Sequence, residues 1–180
     1  MIYEPAEDSY LLESIIPKYA KNKSVLDVGT GFGILAIKSL EFGAKSVTAI
    51  DINEEAIINL KKINGRIRAI HSNLFEKVKG KFDIIICNPP YLPEDKLEDK
   101  ESQKITTGGR KGDEFILKFI KQSVGHLNHN GIILLLLSSL TPQNRILNLL
   151  KTLNLKYEII NTKKIFFETL EVWEIKHNNT

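Results

Sequence analysis

Asn88-Pro89-Pro90-Tyr91 is the stretch of this chain best equipped to do chemistry. It follows the apolar run Phe82-Asp83-Ile84-Ile85-Ile86-Cys87, so it falls where a buried strand ends. Neither proline has an N–H donor, and a proline pushes the residue before it out of the α region. The backbone is therefore extended and rich in acceptors. The Asn88 side-chain oxygen and the Pro89 carbonyl can accept the two N–H bonds of a planar NH2 group, and Tyr91 can stack on its plane. A glutamine side chain and the exocyclic amines of adenine, cytosine and guanine all carry such a group. A strand end followed by a proline-rich turn has the same residues, so a second feature must decide.

That feature is Asp27-Val28-Gly29-Thr30-Gly31-Phe32-Gly33, between a first apolar run and a first helical pattern. Glycines let a backbone turn sharply and approach a ligand closely. A dinucleotide fingerprint would be G-x-G-x-x-G. Here the spacing is G-x-G-x-G, with Ile34 where that fingerprint has its last glycine, which disfavours a nicotinamide dehydrogenase. Asp27 precedes the glycines, where it could meet an amine. Asp51 follows Gly33 by 18 residues and fits ribose hydroxyls. A third polar turn falls at Ser72-Asn73-Leu74.

The elements that must position these residues alternate along the chain. Strand patterns cover 24–28, 46–51, 66–71, 82–87 and 131–137; helical patterns cover 32–42, 53–63, 113–127 and 142–152, with Gly43 as a C-terminal glycine and Asn53 as an N-cap. Residues 156–162 and 168–176 read as two strands joined by a short turn, and Asp8 to about Ile16 as a helix laid on the core. Buried runs separated by helices imply a parallel sheet covered on both faces, and the close final pair implies an antiparallel hairpin at one edge. The candidate residues all fall at C-terminal strand ends, where such sheets bind ligands. Repeats and linkers are absent, so one domain over 1–180 is expected, with 1–22 as a helical segment on it.

Composition narrows the classes. Of 180 residues, 42% are apolar and 26% charged, ordinary values for a soluble globular protein. The longest apolar run, Ile132 to Leu137, is too short to cross a bilayer, and Met1-Ile2-Tyr3-Glu4-Pro5 lacks the features of a signal peptide. No membrane association is expected, and the cytoplasm is the expected compartment. The single cysteine, Cys87, excludes a disulfide framework and reads as a core residue. The four histidines show no ligand spacing; His126 and His129 read as a solvated helix end, and no metal site is expected. A net charge of +3 weakens direct nucleic-acid binding. Trp173 is expected to pack within the last strand.

The glycine loop and Asp51 together resemble the class I methyltransferases that use S-adenosylmethionine. That resemblance implies a Rossmann-like, seven-stranded, mostly parallel sheet of order 3-2-1-4-5-7-6, with helices on both faces. It places Asp27 at the methionine amine. Gly29, Thr30, Gly31 and Gly33 go to the amino-acid and ribose portion, Asp51 with Ile52 to the ribose, and Asn73 with Leu74 to the adenine. The family usually has Asp where this chain has Asn73; Asn can both donate to and accept from an adenine edge. The sulfonium activates the methyl group. Asn88, also placed against the cofactor, with Pro89, Pro90 and Tyr91 would then hold an amide nitrogen in line for transfer, leaving S-adenosylhomocysteine without any metal.

Three further motifs narrow the family. Tyr3-Glu4-Pro5-Ala6-Glu7-Asp8-Ser9-Tyr10-Leu11-Leu12, Asn88-Pro89-Pro90-Tyr91 and Gly108-Gly109-Arg110-Lys111-Gly112 together resemble the HemK-type protein-glutamine N5-methyltransferases. The closest branch is the short eukaryotic and archaeal one, without the helical N-terminal domain of the bacterial branch. The resemblance implies that the substrate is the Gly-Gly-Gln glutamine of a class I translation release factor. It also implies that Ser9 contacts the cofactor and that Glu4 to Asp8 wall the active site, although Asp8 or Ser9 could simply cap a helix. Gly108 to Gly112 would shape the substrate entrance, with Arg110 either on substrate backbone or solvated. A small zinc-binding activator subunit is implied, and strand 66–71, at a sheet edge in this order, could accept a strand from it. Segment 92–107 reads as a solvated loop or as a lid. An N-methylase of nucleic-acid bases and a non-catalytic binding protein on the same fold are the alternatives.

Overall fold

The central strands form because their apolar runs supply both faces of a sheet. In Phe82–Cys87, Ile85 and Cys87 join one core layer while Ile84 and Ile86 join the other. In Leu127–Ser138, Ile133, Leu135 and Leu137 face the first layer and Leu134 and Leu136 the second. Period-2 alternation of side chains turns a continuous apolar run into a strand covered on both sides.

The computed structural model describes residues 2, 4–91 and 108–178. Tyr3 and the segment 92–107, read above as a loop or lid, lie outside these. In chain order the elements are α1 (Glu7–Glu13), α2 (Ile16–Tyr19), β1 (Ser24–Val28), α3 (Ile34–Glu41), β2 (Ser46–Asp51), α4 (Glu54–Ile63) and β3 (Arg68–His71). Then come β4 (Phe82–Cys87), α5 (Glu114–Ser123), a 3-10 turn (Val124–His126), β5 (Leu127–Ser138), α6 (Gln143–Thr152), β6 (Leu155–Ile165) and β7 (Glu168–His177). The strands make one seven-stranded sheet of order β3-β2-β1-β4-β5-β7-β6, as the resemblance implied. Pairings from β3 through β5 are parallel, and β7 pairs antiparallel with both β5 and β6. Residues of α1 to α4 pack in one layer and residues of α5 and α6 in the other. Trp173 is buried in β7 and stacks on Tyr157, with ring centroids 4.1 Å apart. Among the described residues no helix is long and apolar enough to cross a membrane.

Several boundaries differ from the sequence reading, each for a local reason. The expected helix from Asp8 to Ile16 is two helices. Pro17 lies in the first turn of α2, and its missing N–H cannot continue the ladder of α1. Neither Asp8 nor Ser9 caps α1; Ala6 holds that position. The helix expected over 113–127 gives way to the 3-10 turn after Ser123, so His129 lies on β5 rather than on a helix end. His126 is not merely solvated: its ring stacks on Phe75 and its Nδ1 is 2.9 Å from the Gly80 carbonyl. The third strand starts at Arg68, because Asn64 and the turn after it hold Arg66, whose N–H donates to Asn64 Oδ1.

Candidate active site

The C-terminal ends of β1 and β2 are tied together by backbone hydrogen bonds. The Gly29 and Thr30 N–H groups both donate to the Ile50 carbonyl, at 2.9 and 3.0 Å. Gly29, Gly31 and Gly33 hold φ of 74°, 52° and 82°. At Gly33 a Cβ would lie 2.5 Å from Leu60 Cδ1 on α4, whereas at Gly29 it would meet open space. Asp51 closes the arrangement. Its Oδ2 accepts from the Gly31 N–H at 2.8 Å and its Oδ1 from the Asn53 N–H at 2.8 Å. Loop and carboxylate are one hydrogen-bonded unit.

Asp27 is built differently. It is 1% exposed, and Thr30 Oγ1 donates to its Oδ2 at 2.6 Å. Its Oδ1 is buried without a hydrogen-bond partner among the described residues. Burial pushes this carboxyl up to about 7; the Thr30 hydrogen bond and the Ala36 backbone pull it back, and the charge of Asp51 pushes it further up. A buried acceptor in this state suits a cationic donor such as an ammonium group.

The end of β3 continues the row. The Ser72 N–H donates to the Asp51 carbonyl at 2.9 Å, and Ser72 Oγ donates to the Leu74 carbonyl at 2.8 Å. This holds Leu74, buried, at a φ of 48°. Asn73 Nδ2 donates to Glu76 Oε1 at 2.9 Å. Ile52 is 68% exposed, an apolar side chain at the strand end, and its carbonyl is held by His71 Nε2 at 2.9 Å. Ile52, Asn73 and Leu74 thus lie at neighbouring strand ends. His71, Ser72 and Glu76 were not foreseen as supports, although the polar turn itself was legible.

Asn88 follows β4, the strand beside β1. Its Nδ2 donates to Ser9 Oγ at 3.2 Å. Its Oδ1 is buried and has no partner among the described residues. With the NH2 side turned to α1, the amide presents its oxygen as the free acceptor. Pro89 is buried, and the Pro90 carbonyl lies so close to Gly108 that a Cβ there would be 2.7 Å from it. Tyr91 packs against both core layers. Burial pushes its hydroxyl above the usual range, with Asp8 and Glu168 adding to the rise. Cys87 is buried and its thiol is pushed well up by that burial, which suits a core residue.

Beside Pro90, Gly108 to Asp113 form a braced turn. Gly112 N–H donates to the Gly109 carbonyl at 3.0 Å, and the Lys111 N–H to Glu114 Oε2 at 3.1 Å. Asp113, fully buried, accepts from Arg145 Nη1 at 2.9 Å. Arg110 is exposed. The Asp113–Arg145 pair escaped the sequence reading, since an Asp before an apolar helix reads as a cap and gives no sign of an arginine in the next helix. Among the described residues no group of His, Cys, Asp and Glu is arranged to hold a metal ion.

Two carboxylates, a glycine loop and an asparagine–proline end therefore share one rim of a Rossmann-like sheet. The sequence profile of the methyltransferase small domain matches residues 7–167. The chain belongs to this methyltransferase family. Within it, a Methanocaldococcus jannaschii protein whose name provisionally makes it a protein N5-glutamine methyltransferase is 41% identical over 177 residues, covering 95% of this chain and 89% of that one. The release factor glutamine methyltransferase of Aquifex aeolicus is 33% identical over 145 residues, which is 72% of this chain and 52% of that enzyme. The chain thus spans nearly the whole Methanocaldococcus jannaschii protein and about half of the Aquifex aeolicus one. Among solved structures, a chain of the E. cuniculi Mtq2–Trm112 complex, described as responsible for methylation of the eRF1 translation termination factor, superposes with a TM-score of 0.78 at 25% identity. Coverage is 98% of both chains.

Proposed function

We propose that this chain transfers a methyl group from S-adenosylmethionine to the side-chain amide nitrogen of a protein glutamine, the Gly-Gly-Gln glutamine of a class I translation release factor. The observation that carries this reading is the Asn88 amide. Its NH2 is taken by Ser9 and its buried Oδ1 is left without a partner among the described residues. Such an oxygen accepts an N–H and fixes the plane of a substrate amide. The Pro89 carbonyl accepts the second N–H, and Tyr91 lies along the plane of the group, so that Asn88, Pro89 and Tyr91 form a clamp for the substrate amide.

The residues at the ends of β1 to β3 fit the cofactor. Asp27 Oδ1 suits the methionine ammonium, Asp51 the ribose, and Ile52, Asn73 and Leu74 the adenine, with Ser9 at the junction of cofactor and clamp. When bound, S-adenosylmethionine supplies a methyl group already activated on sulfonium. What remains for the protein is orientation and the exclusion of water. One substrate N–H is replaced by N–CH3, one proton is released, and S-adenosylhomocysteine is left. This reading puts the enzyme where translation occurs, in the cytoplasm.

It also includes a small zinc-binding activator subunit on β3. That strand is short and lies at the sheet edge. An edge of unpaired backbone accepts a further strand. The structural relative is a chain of the Mtq2–Trm112 complex, which supports a partner subunit. Mixing the chain with that subunit should shift its elution in size-exclusion chromatography; unchanged elution would refute the assignment.

The deciding experiment uses labelled S-adenosylmethionine, the activator subunit, and either the release factor, a factor with that glutamine replaced by alanine, or nucleic acid. Label on the unaltered factor alone is expected. Label on the alanine factor or on nucleic acid would overturn the reading.

A further inference from the structure

The hairpin that closes the sheet ends in two phenylalanines that serve neither the core nor the turn. Ile165 pairs with Glu168, so Phe166 and Phe167 alone connect β6 to β7. Their exposures are 99% and 93%, the highest of the large apolar side chains described. Two-residue hairpin turns favour residues at positive φ, typically Asn-Gly. Neither phenylalanine adopts positive φ. A position that breaks its local rule without a structural return is a candidate for a binding role.

The hairpin places this tip on the rim that carries the clamp. Ser138, at the end of β5, pairs with Leu170 at the start of β7, and Cys87, just before Asn88, pairs with Leu135 of β5. The tip therefore rises from the same end of the sheet as Asn88. It is also braced. Ser138 Oγ donates to Glu168, the Ser139 N–H to the Thr169 carbonyl at 2.8 Å, and the Thr169 N–H to Ser139 Oγ at 2.9 Å. On the other strand, Lys163 pairs with Glu7 and Asn161 Nδ2 donates to Ser14 Oγ at 3.2 Å. These contacts tie the hairpin to α1, the helix that carries Ser9.

We infer that Phe166 and Phe167 are the docking element for the folded protein that bears the target glutamine, and that they seat in an apolar hollow on it. This rests on the proposed protein-methyltransferase function. Continuity with the clamp argues for the substrate as occupant, because the tip stands on the same rim of the sheet as Asn88. Charge argues against nucleic acid. Lys163 is neutralised by Glu7, and exposed Lys164 is the one other cation on β6 beside the tip, with Glu168 on the facing strand, so the tip carries no basic patch for phosphates.

The test compares the unsubstituted chain, the Phe166→Ser/Phe167→Ser variant and the Phe166→Leu/Phe167→Leu variant, each with its partner subunit. Intact release factor and a short Gly-Gly-Gln peptide are the two substrates. The serine variant should raise KM for the intact factor at least tenfold, while kcat, the cofactor Kd, the melting temperature and the peptide kinetics stay within twofold. The leucine variant should recover most of the affinity. An unchanged KM for the intact factor would overturn the inference and leave the function standing. So would a dimer of the unsubstituted chain that the serine variant abolishes, or a loss of RNA binding in its place. No transfer to the intact factor by the unsubstituted chain would instead overturn the function and the inference together.

Discussion

The inner strands β1 and β4 end differently from their outer neighbours β2 and β3. At the outer ends the acceptors are satisfied within the protein: both oxygens of Asp51 take backbone N–H groups, and Ser72 folds its own turn. At the inner ends two buried oxygens, Asp27 Oδ1 and Asn88 Oδ1, have no partner among the described residues. A buried acceptor without a donor costs stability, and at these two strand ends the proposed function gives each oxygen a ligand donor. The outer ends hold the loops in shape, and in the proposed function they meet the ribose and adenine with side chains already tied to the backbone, whereas the inner ends offer open acceptors.

The strongest way to break this contrast is Asn88→Ala. If the open amide oxygen holds the substrate, kcat should fall about a hundred- to a thousandfold, as when one preorganised hydrogen-bonding group is removed from an active site. The cofactor Kd, by isothermal titration, should change less than threefold. Equal loss of cofactor binding would move Asn88 to the shaping class.

Asp27→Asn tests the other inner oxygen. A charge-assisted hydrogen bond to an ammonium is worth about 1.5–3 kcal/mol, so cofactor affinity should drop about ten- to a hundredfold. The pH dependence is sharper still. The native carboxyl keeps its proton up to about 7, whereas the unfolded one releases it near 3.8. The unfolded state thus sheds a proton that the native state retains, and stability falls as pH rises through this window, by about 4 kcal/mol in all. Melting temperature should decline from pH 4 to pH 7 and do so much less in the Asn variant. An ammonium ligand reverses the effect by favouring the carboxylate. Between pH 5 and pH 7, where the ligand amine stays charged, binding should tighten by about tenfold or more, and the Asn variant should lose that slope. A flat profile in the unsubstituted protein would remove Asp27 from the ligand.

The outer carboxylate should respond otherwise. Asp51→Ala leaves the Gly31 and Asn53 N–H groups without their acceptor. Thermal unfolding should show a loss of about 1–3 kcal/mol, alongside weaker cofactor binding. Stability unaffected by this change would mean that the loop is not held as described.

How much of this was legible depends on the range of the interaction. The bounds of β1, β2 and β4 follow from apolar runs that stop at Gly29, Asp51 and Asn88, and Asn53 does cap α4, accepting from the Glu55 N–H at 3.0 Å. The glycine loop and Asp51 were readable because spacing alone sets their register across two adjacent parallel strands. Pairings between distant segments were not. Ser9 and Asn88 are 79 residues apart, and Arg145 reaches Asp113 across 32. No periodicity announces either contact. Phe166 and Phe167 were hidden for the opposite reason, since local rules would have filled that turn with Asn-Gly.

Ser9→Ala should give the smallest effect, and it tests whether the open oxygen of Asn88 is oriented or accidental. In the native arrangement Ser9 Oγ accepts from Asn88 Nδ2 at 3.2 Å. Without that acceptor the amide loses its reason to point NH2 toward α1, and a flipped amide would offer a donor where the substrate needs an acceptor. The expected result is a fall in kcat of roughly tenfold or less, about the worth of one neutral hydrogen bond, with the melting temperature nearly unchanged. Ser9→Thr keeps the hydroxyl and should restore most of the rate. If alanine and threonine instead weaken cofactor binding and leave kcat alone, Ser9 acts on the cofactor, and the orientation of Asn88 comes from its own strand end.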